Sequence, residues 1–228
     1  MDKRQKQLLD LVIETHIATA DPIGSRFLIS EAGLDWSEAT VRNDLRTLEE
    51  EGYLTHPHTS AGRVPTEKGY HFYLSNLDLA KAKLSKKDND VLGMSLKEAH
   101  DRELRYKNLA KSLAELSGET VLFAPSPDKV YFTGLSNLFG KPEFHALELV
   151  ADLSEILDHC EQCLDQFFEE EEIDEEPRFF LGKEHSFGKM LSVLAVSSGP
   201  ESLLVMLGPL RMDYRRNFAL MNRVKELL

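Results

Sequence analysis

The stretch that most constrains the fold is "DWSEATVRNDLRTLEEEG", because its apolar residues recur with the period of an α-helix. Val41, Leu45 and Leu48 stand at positions i, i+4 and i+7, so they share one helix face and form a stripe suited to burial. Gly52 closes the stretch, and glycine is the common residue just beyond a helix end. The pattern predicts one amphipathic helix whose other face is polar and exposed.

Two residues are candidates for the N-cap of this helix. Asp35 with Glu38 three positions later has the spacing of a capping box. Ser37 is a second candidate, because serine is also a favoured N-cap. Either choice leaves the apolar stripe unchanged.

The segments around this helix complete a recognisable arrangement. Residues 4–17 and 25–31 have helical apolar spacing and are separated by the chain-breaking stretch "DPIGSR". Beyond the central helix, "YLTH" and "VP" have the pattern of two short strands, and Thr66 then caps a further helix. Three helices followed by a two-stranded turn form a winged helix-turn-helix, whose recognition helix enters the DNA major groove. We therefore expect a DNA-binding domain over residues 1–77.

The exposed face of the central helix carries side chains that can recognise bases. Opposite the apolar stripe lie Ala39, Arg42, Asn43 and Arg46, with Thr40 beside them. Arginine can hydrogen-bond to guanine and asparagine to adenine, while alanine or threonine can contact a thymine methyl group. The alternative is the ordinary solvated face of an amphipathic helix, so this helix alone does not decide the matter.

The connector "HPHTSAGRVPT" favours the DNA-binding interpretation. Thr59 and Ser60 supply hydroxyl groups that can donate to phosphates, Arg63 supplies a positive charge, and His58 can add a donor. Gly62 lets the connector turn tightly, and two prolines stiffen its edges. A purely structural turn needs none of these donors. The connector is therefore interpreted as a wing that contacts DNA.

The charge of the chain bears on this hypothesis. The formal net charge is −12, which opposes nucleic-acid binding at face value. Residues 1–77 contain 8 Lys/Arg and 12 Asp/Glu, hence −4, so most of the negative charge lies elsewhere. We expect modest, salt-sensitive affinity per domain and therefore a homodimer. The competing class is a protein-interaction or ligand-sensing adaptor that keeps the winged fold without operator binding.

The remainder of the chain predicts a second, α+β domain. Residues 78–118 are highly charged and helical, and they are interpreted as a helical linker. Their middle, "EAHDRELRYK", is polar enough that we expect either a break or a solvent-bridging section there. Within them, Leu109, Leu113 and Leu116 form a stripe that is either intramolecular core or a dimer seam, and the core interpretation is favoured. Residues 119–228 mix strands such as "ETVLFAP", "LSVLAVS" and "SLLVMLG" with helices.

Other function classes find little support. Cys160 and Cys163 in "HCEQC" form a lone C-x-x-C, whereas structural zinc sites need four ligands. We find no Ser/His/Asp or paired-carboxylate arrangement, so we expect no enzyme, no metal and no cofactor. Apolar runs stay well short of the roughly 20 residues of a membrane span, so we expect no membrane partner. Two cysteines agree with a reducing cytoplasm.

Several stretches resemble a known family. "PIGSRFL", "SEATVRNDLRTLEEEGYL" and "PHTSAGRVPTEKGYHFYL" are similar to the N-terminal domain of HrcA, the bacterial heat-inducible transcription repressor. "VYFTGLSNLFGKPEF" and "GPLRMDYRRNFALMNRVKELL" resemble its GAF-like domain. The resemblance implies a dimeric stress-response repressor that binds an inverted-repeat operator in double-stranded DNA upstream of chaperone genes and is kept active by the GroEL chaperonin. It assigns DNA contacts to these positions: Thr40, Arg42, Asn43, Thr59, Ser60 and Arg63.

The sequence departs from the family pattern at one place. Family members carry a long middle region, including an inserted dimerising domain, before "GLSNL". Here "ETVLFAPSPDKVYFTGLSNL" joins the two sides directly. We interpret the chain as a shortened member with a reduced GAF-like domain over residues 119–228.

Overall fold

The structure is a computed structural model of the 228-residue chain. It describes residues 1–58, 61–96, 101–126, 129–145, 147–170, 173, 176–199 and 202–228. The chain divides into two compact units, Met1–Leu77 and Asp78–Leu228. In the described ranges, no helix has the length and apolar character needed to cross a membrane.

The first unit is a winged helix-turn-helix. Its elements in chain order are α1 (Lys3–Thr19), α2 (Ser25–Ala32), α3 (Glu38–Glu50), β1 (Leu54–Thr55), β2 (Val64–Pro65) and α4 (Glu67–Ser75). The two strands pair antiparallel. The stripe of Val41, Leu45 and Leu48 is fully buried in the unit's core, where α1 packs against α3 and α4. The predicted fold of this part is confirmed.

The helix starts follow the sequence signals with one exception. The Ser37 hydroxyl accepts a hydrogen bond from the Thr40 N–H at 3.1 Å, so Ser37 is the N-cap of α3. The capping box predicted for Asp35 and Glu38 is wrong, because Glu38 is itself the first helical residue and the cap must directly precede it. Thr66 caps α4 as predicted.

The second unit is an antiparallel sheet with helices on both faces. The strands run β4–β3–β7–β6–β5 across the sheet. Its elements are α5 (Lys86–Ser95), α6 (Arg102–Ser117), β3 (Thr120–Ser126), β4 (Lys129–Thr133), α7 (Leu135–Phe139), α8 (Leu147–Asp158), α9 (Cys160–Glu170), β5 (Arg178–Leu181), β6 (Leu191–Gly199), β7 (Ser202–Pro209) and α10 (Tyr214–Leu227). The α+β class predicted from the sequence is confirmed, while the GAF-like assignment stays a prediction.

Both faces of this sheet are buried, which explains why its central strands are apolar at successive positions. Adjacent residues of a strand point to opposite faces. On β3, Phe123 stacks on Tyr106 of α6 with ring centroids 4.3 Å apart, whereas Leu122 joins a cluster on the other face. That cluster includes side chains from the segments that follow β4, among them Leu138, Phe144, Leu153 and Leu164.

The segment expected to be a helical linker contributes to this core. Residues 78–118 belong to the second unit, and α6 packs along β3. Leu109 and Leu113 are buried, in agreement with the core interpretation, and Leu116 is partly exposed. Helix α5 ends at Ser95, and α6 begins at Arg102, inside the polar stretch over residues 98–107 where a break was predicted.

Candidate nucleic-acid interface

Helix α3 exposes the face that was predicted to recognise bases. Burial of its apolar stripe fixes the rotation of the helix about its axis. Four of the predicted residues are exposed on the resulting outer surface: Ala39, Arg42, Asn43 and Arg46. Thr40 is half-buried, and its hydroxyl oxygen lies 2.9 Å from that of Ser37. The helix therefore presents two guanidinium groups and one carboxamide on the same surface.

Both arginines of this face are paired with acids of their own helix. Arg42 Nη2 lies 2.6 Å from Glu38 Oε1, and Arg46 Nε lies 2.8 Å from Glu50 Oε1. Exposed pairs at this spacing stabilise a helix by only about 0.3–0.5 kcal/mol, so exchange for a DNA partner costs little. These partners were not predicted, although the i, i+4 spacing is readable in the sequence.

The wing is anchored to the segment between α1 and α2. Ile23 and Arg63 exchange two backbone hydrogen bonds of 2.8 and 2.9 Å, which form a bridge beside the β1–β2 ladder. A Cβ atom on Gly62 would lie 2.5 Å from the carbonyl carbon of Ile23. Glycine is therefore required at position 62 because the wing backbone approaches the Ile23 backbone closely. The tight turn that we predicted is a different reason.

The Arg63 side chain points toward α3. Its Nε lies 3.3 Å from Glu49 Oε2, and the side chain is only 14% exposed. A phosphate contact by Arg63, as predicted from the sequence, would require exchange of this carboxylate partner. His58 is exposed, as a donor to DNA would have to be. The predicted contacts Thr59 and Ser60 lie outside the described residues.

His56 is an interface residue for which no role was predicted. Its Nε2 lies 3.2 Å from Glu49 Oε2, and its Nδ1 lies 3.2 Å from both the Ala61 and the Gly62 carbonyl oxygens. The imidazole ring thus connects the wing to the C-terminal end of α3. Its neighbours come from the folded arrangement of helix and wing, and no local sequence pattern indicates them.

Helix α1 is held against the recognition helix by a two-point ion pair. Arg4 Nε lies 2.6 Å from Asp44 Oδ2, and Arg4 Nη2 lies 3.0 Å from Asp44 Oδ1. Asp44 is buried within α3, whereas the Arg4 side chain is 44% exposed. Paired guanidinium and carboxylate groups of this geometry form strong, directional contacts. Arg4 therefore contributes to the scaffold that orients α3.

The cysteine pair lacks the character of a reactive or metal-binding site. Burial raises the pKa of the Cys160 thiol to about 11 and also raises the pKa of Cys163, so both thiols stay protonated at neutral pH. In the part of the chain that the structure describes, no three His, Cys, Asp or Glu side chains are grouped to hold a metal ion.

Two family models match the chain, one for each part of it. The model described as the HrcA protein C-terminal domain matches residues 75–217, which is more than half of the chain. The model described as the ribonuclease R winged-helix domain matches residues 12–72. The second match agrees with the winged fold of the first unit.

Curated relatives carry one common name. The heat-inducible transcription repressor HrcA of Nocardioides sp. is 38% identical over 121 residues, 53% of this chain and 36% of that protein. The protein of the same name from Acetivibrio thermocellus is 51% identical over 77 residues, 34% of this chain and 22% of that protein. The matched part thus spans about a third or less of the length of these relatives.

One solved structure shares the architecture of the whole chain. A crystal structure described as a hypothetical protein superposes with a TM-score of 0.79 at 18% sequence identity. The superposition covers 100% of this chain and 97% of that one. At this identity the likeness concerns the fold alone.

Proposed function

The chain belongs to the HrcA family of heat-inducible transcription repressors, and we propose on that basis that it represses transcription by binding double-stranded DNA through its first unit. The proposed target is an inverted-repeat operator upstream of chaperone genes. The proposed working form is a homodimer in the bacterial cytoplasm. GroEL is the proposed protein partner, and its addition should strengthen operator binding. No catalytic role is part of this proposal.

The observation that carries the proposal is the outer face of α3. Arg42, Asn43 and Arg46 are exposed on a helix whose opposite face is locked into the core. Arginine and asparagine offer donors and acceptors that match the major-groove edges of guanine and adenine. A rigid helix that holds such groups in fixed register can favour one base sequence over others. The wing beside α3 would add contacts to the sugar-phosphate backbone.

The electrostatics of the first unit support a homodimer as the proposed form. Its formal charge is −4, and the arginines on α3 already have carboxylate partners. One such module gains little from phosphate neutralisation, which supplies most nonspecific affinity. Two modules on one duplex combine their half-site energies, and a two-fold axis makes the operator an inverted repeat.

The alternative function is a protein-interaction adaptor that keeps the winged fold without operator binding. The observation that favours it is the acidic balance of the interface, where Glu38 and Glu50 pair with Arg42 and Arg46. In an adaptor these ion pairs would persist, and the outer face of α3 would contact only solvent.

Selection from a randomised duplex pool separates the two functions. The full chain is bound to the pool at about 0.1 M salt, where specific binding is distinguishable from nonspecific association. The proposal predicts enrichment of an inverted repeat whose half-site centres are about one helical turn or a multiple of it apart. A pool without enrichment after repeated rounds, or winners that bind no better than scrambled duplexes, would refute operator binding and favour the adaptor.

A further inference from the structure

A single carboxylate joins both ends of the wing to the recognition helix. Glu49 Oε2, at the C-terminal end of α3, lies 3.2 Å from His56 Nε2 and 3.3 Å from Arg63 Nε. His56 follows β1 and Arg63 precedes β2, so the two basic side chains stand at opposite ends of the segment that joins these strands. All three side chains are less than one-third exposed, so solvent screens their interactions only in part.

Oxygen atoms lie near both nitrogens of the His56 ring. Nε2 faces the Glu49 carboxylate, while Nδ1 faces the carbonyl oxygens of Ala61 and Gly62. A neutral imidazole has one N–H donor and one lone pair, whereas the imidazolium form has two donors. In either neutral tautomer, one ring nitrogen would direct a lone pair at an oxygen. Only the protonated ring can donate on both sides.

We infer that protonated His56 is a positioning residue of the DNA interface, with Glu49 as its counter-charge. The inference rests on the proposed DNA-binding function. When the ring is protonated, it donates to the wing carbonyls and to α3 together, which fixes the wing beside the recognition helix. When the ring is neutral, one of these two contacts is lost and the wing gains freedom that DNA binding must then remove.

The charged neighbours of the ring determine how protonation of His56 changes the affinity for DNA. Two charged side chains lie at the ring: Glu49 on α3 supplies the counter-charge, and Arg63 on the wing shares the same carboxylate. A protonated His56 also competes with Arg63 for Glu49, which leaves Arg63 easier to transfer to a phosphate. Both effects make DNA binding stronger with His56 protonated. By linkage, DNA binding takes up protons, and affinity falls as pH rises through the range in which histidine titrates.

The binding test uses a duplex selected from the randomised pool and the full chain at constant ionic strength. Affinity is measured by fluorescence anisotropy between pH 6.0 and 8.5 for the wild type, His56→Gln and Glu49→Gln, with His145→Gln, at an exposed histidine of the second unit, as the control. The wild type and the control should lose at least about fivefold in affinity over this range. His56→Gln and Glu49→Gln should show a much flatter profile. An unchanged slope in His56→Gln would overturn the inference, whatever the absolute affinity.

A second measurement needs no DNA, so failure of the proposed function would not hide the result. Long-range proton–nitrogen NMR of the free chain reports how many nitrogens of the His56 ring carry a proton. We expect two at pH 6.0, with the amide signals of Ala61 and Gly62 shifting together with the ring as pH rises. In His56→Gln these amide shifts should vanish, while His145→Gln should keep them. A singly protonated ring at pH 6.0, or wing amides insensitive to His56, would contradict the positioning role.

Discussion

Glu119, at the start of the sheet in the second unit, should make this protein less stable as the solution becomes more basic. Its side chain is 3% exposed, and Oε2 has no hydrogen-bond partner among the described residues. Lys141 Nζ lies 3.1 Å from Oε1 but compensates only part of the cost of burying a charge. Burial thus raises the pKa of Glu119 from 4.5 to about 7, while Lys141 and Arg211 lower it by less.

The size of the effect follows from that pKa. One unit of pKa corresponds to about 1.4 kcal/mol, so the rise from 4.5 to about 7 amounts to roughly 3 kcal/mol. The folded state holds the proton more tightly than the unfolded state. The contribution is therefore fully present below pH 4.5 and is lost as pH rises through about 7. Glu119→Gln, which stays neutral, should lie within about 1 kcal/mol of the wild type at pH 5.0 and exceed its stability by roughly 3 kcal/mol at pH 8.5.

Urea denaturation of the full chain, followed by circular dichroism at both pH values, measures this difference. Glu115→Gln is the matched control, because Glu115 is an exposed acid of the same unit and its replacement should have the same small effect at both pH values. Fluorescence of the single tryptophan, Trp36, reports the first unit separately. A wild type that is the more stable protein at pH 8.5, or a difference independent of pH, would refute the burial argument.

Three further predictions concern the first unit. Gly62→Ala should lower the free energy of unfolding by about 1–3 kcal/mol, because the added Cβ would lie 2.5 Å from the Ile23 backbone. Gly24→Ala is the control, since its Cβ would meet nothing within 4 Å. Equal unfolding free energies for the two variants would contradict this prediction. Arg63→Ala should weaken binding to every duplex and lower the salt slope by about one, and an unchanged slope would mean that this side chain stays away from phosphate. Arg4→Ala leaves the Asp44 carboxylate buried without its partner. That variant should unfold at a lower urea concentration than the wild type when tryptophan fluorescence is followed, because the Asp44 charge then lacks its counter-charge. An unchanged midpoint would show that Arg4 does not stabilise the position of α3.

Much of the fold was readable because local sequence and burial agree. The stripe of Val41, Leu45 and Leu48 predicted the orientation of α3, and the structure buries all three side chains. The same orientation left Arg42 and Asn43 exposed as predicted. The strands of the second unit were also readable, since runs of apolar residues bounded by turn residues leave few alternatives.

The features that the sequence did not predict depend on contacts between segments that are distant in the chain. No role was predicted for Glu49, because no local pattern shows that it meets the wing. Arg63 was expected to face phosphate because sequence gives its charge but not its direction, and the fold turns it toward α3. Gly62 was assigned to a tight turn because its close approach to Ile23 exists only after α1, α2 and the wing have packed.

The most direct test of the central claim compares two DNA sequences on variants of the recognition helix. Dissociation constants are measured for the wild type, Arg42→Ala and Asn43→Ala on the selected duplex and on a scrambled duplex of the same composition. If α3 reads bases, each variant loses roughly 1–3 kcal/mol on the selected duplex and almost nothing on the scrambled one. Equal losses on both duplexes would show that these side chains only hold phosphates, and would contradict base recognition by α3.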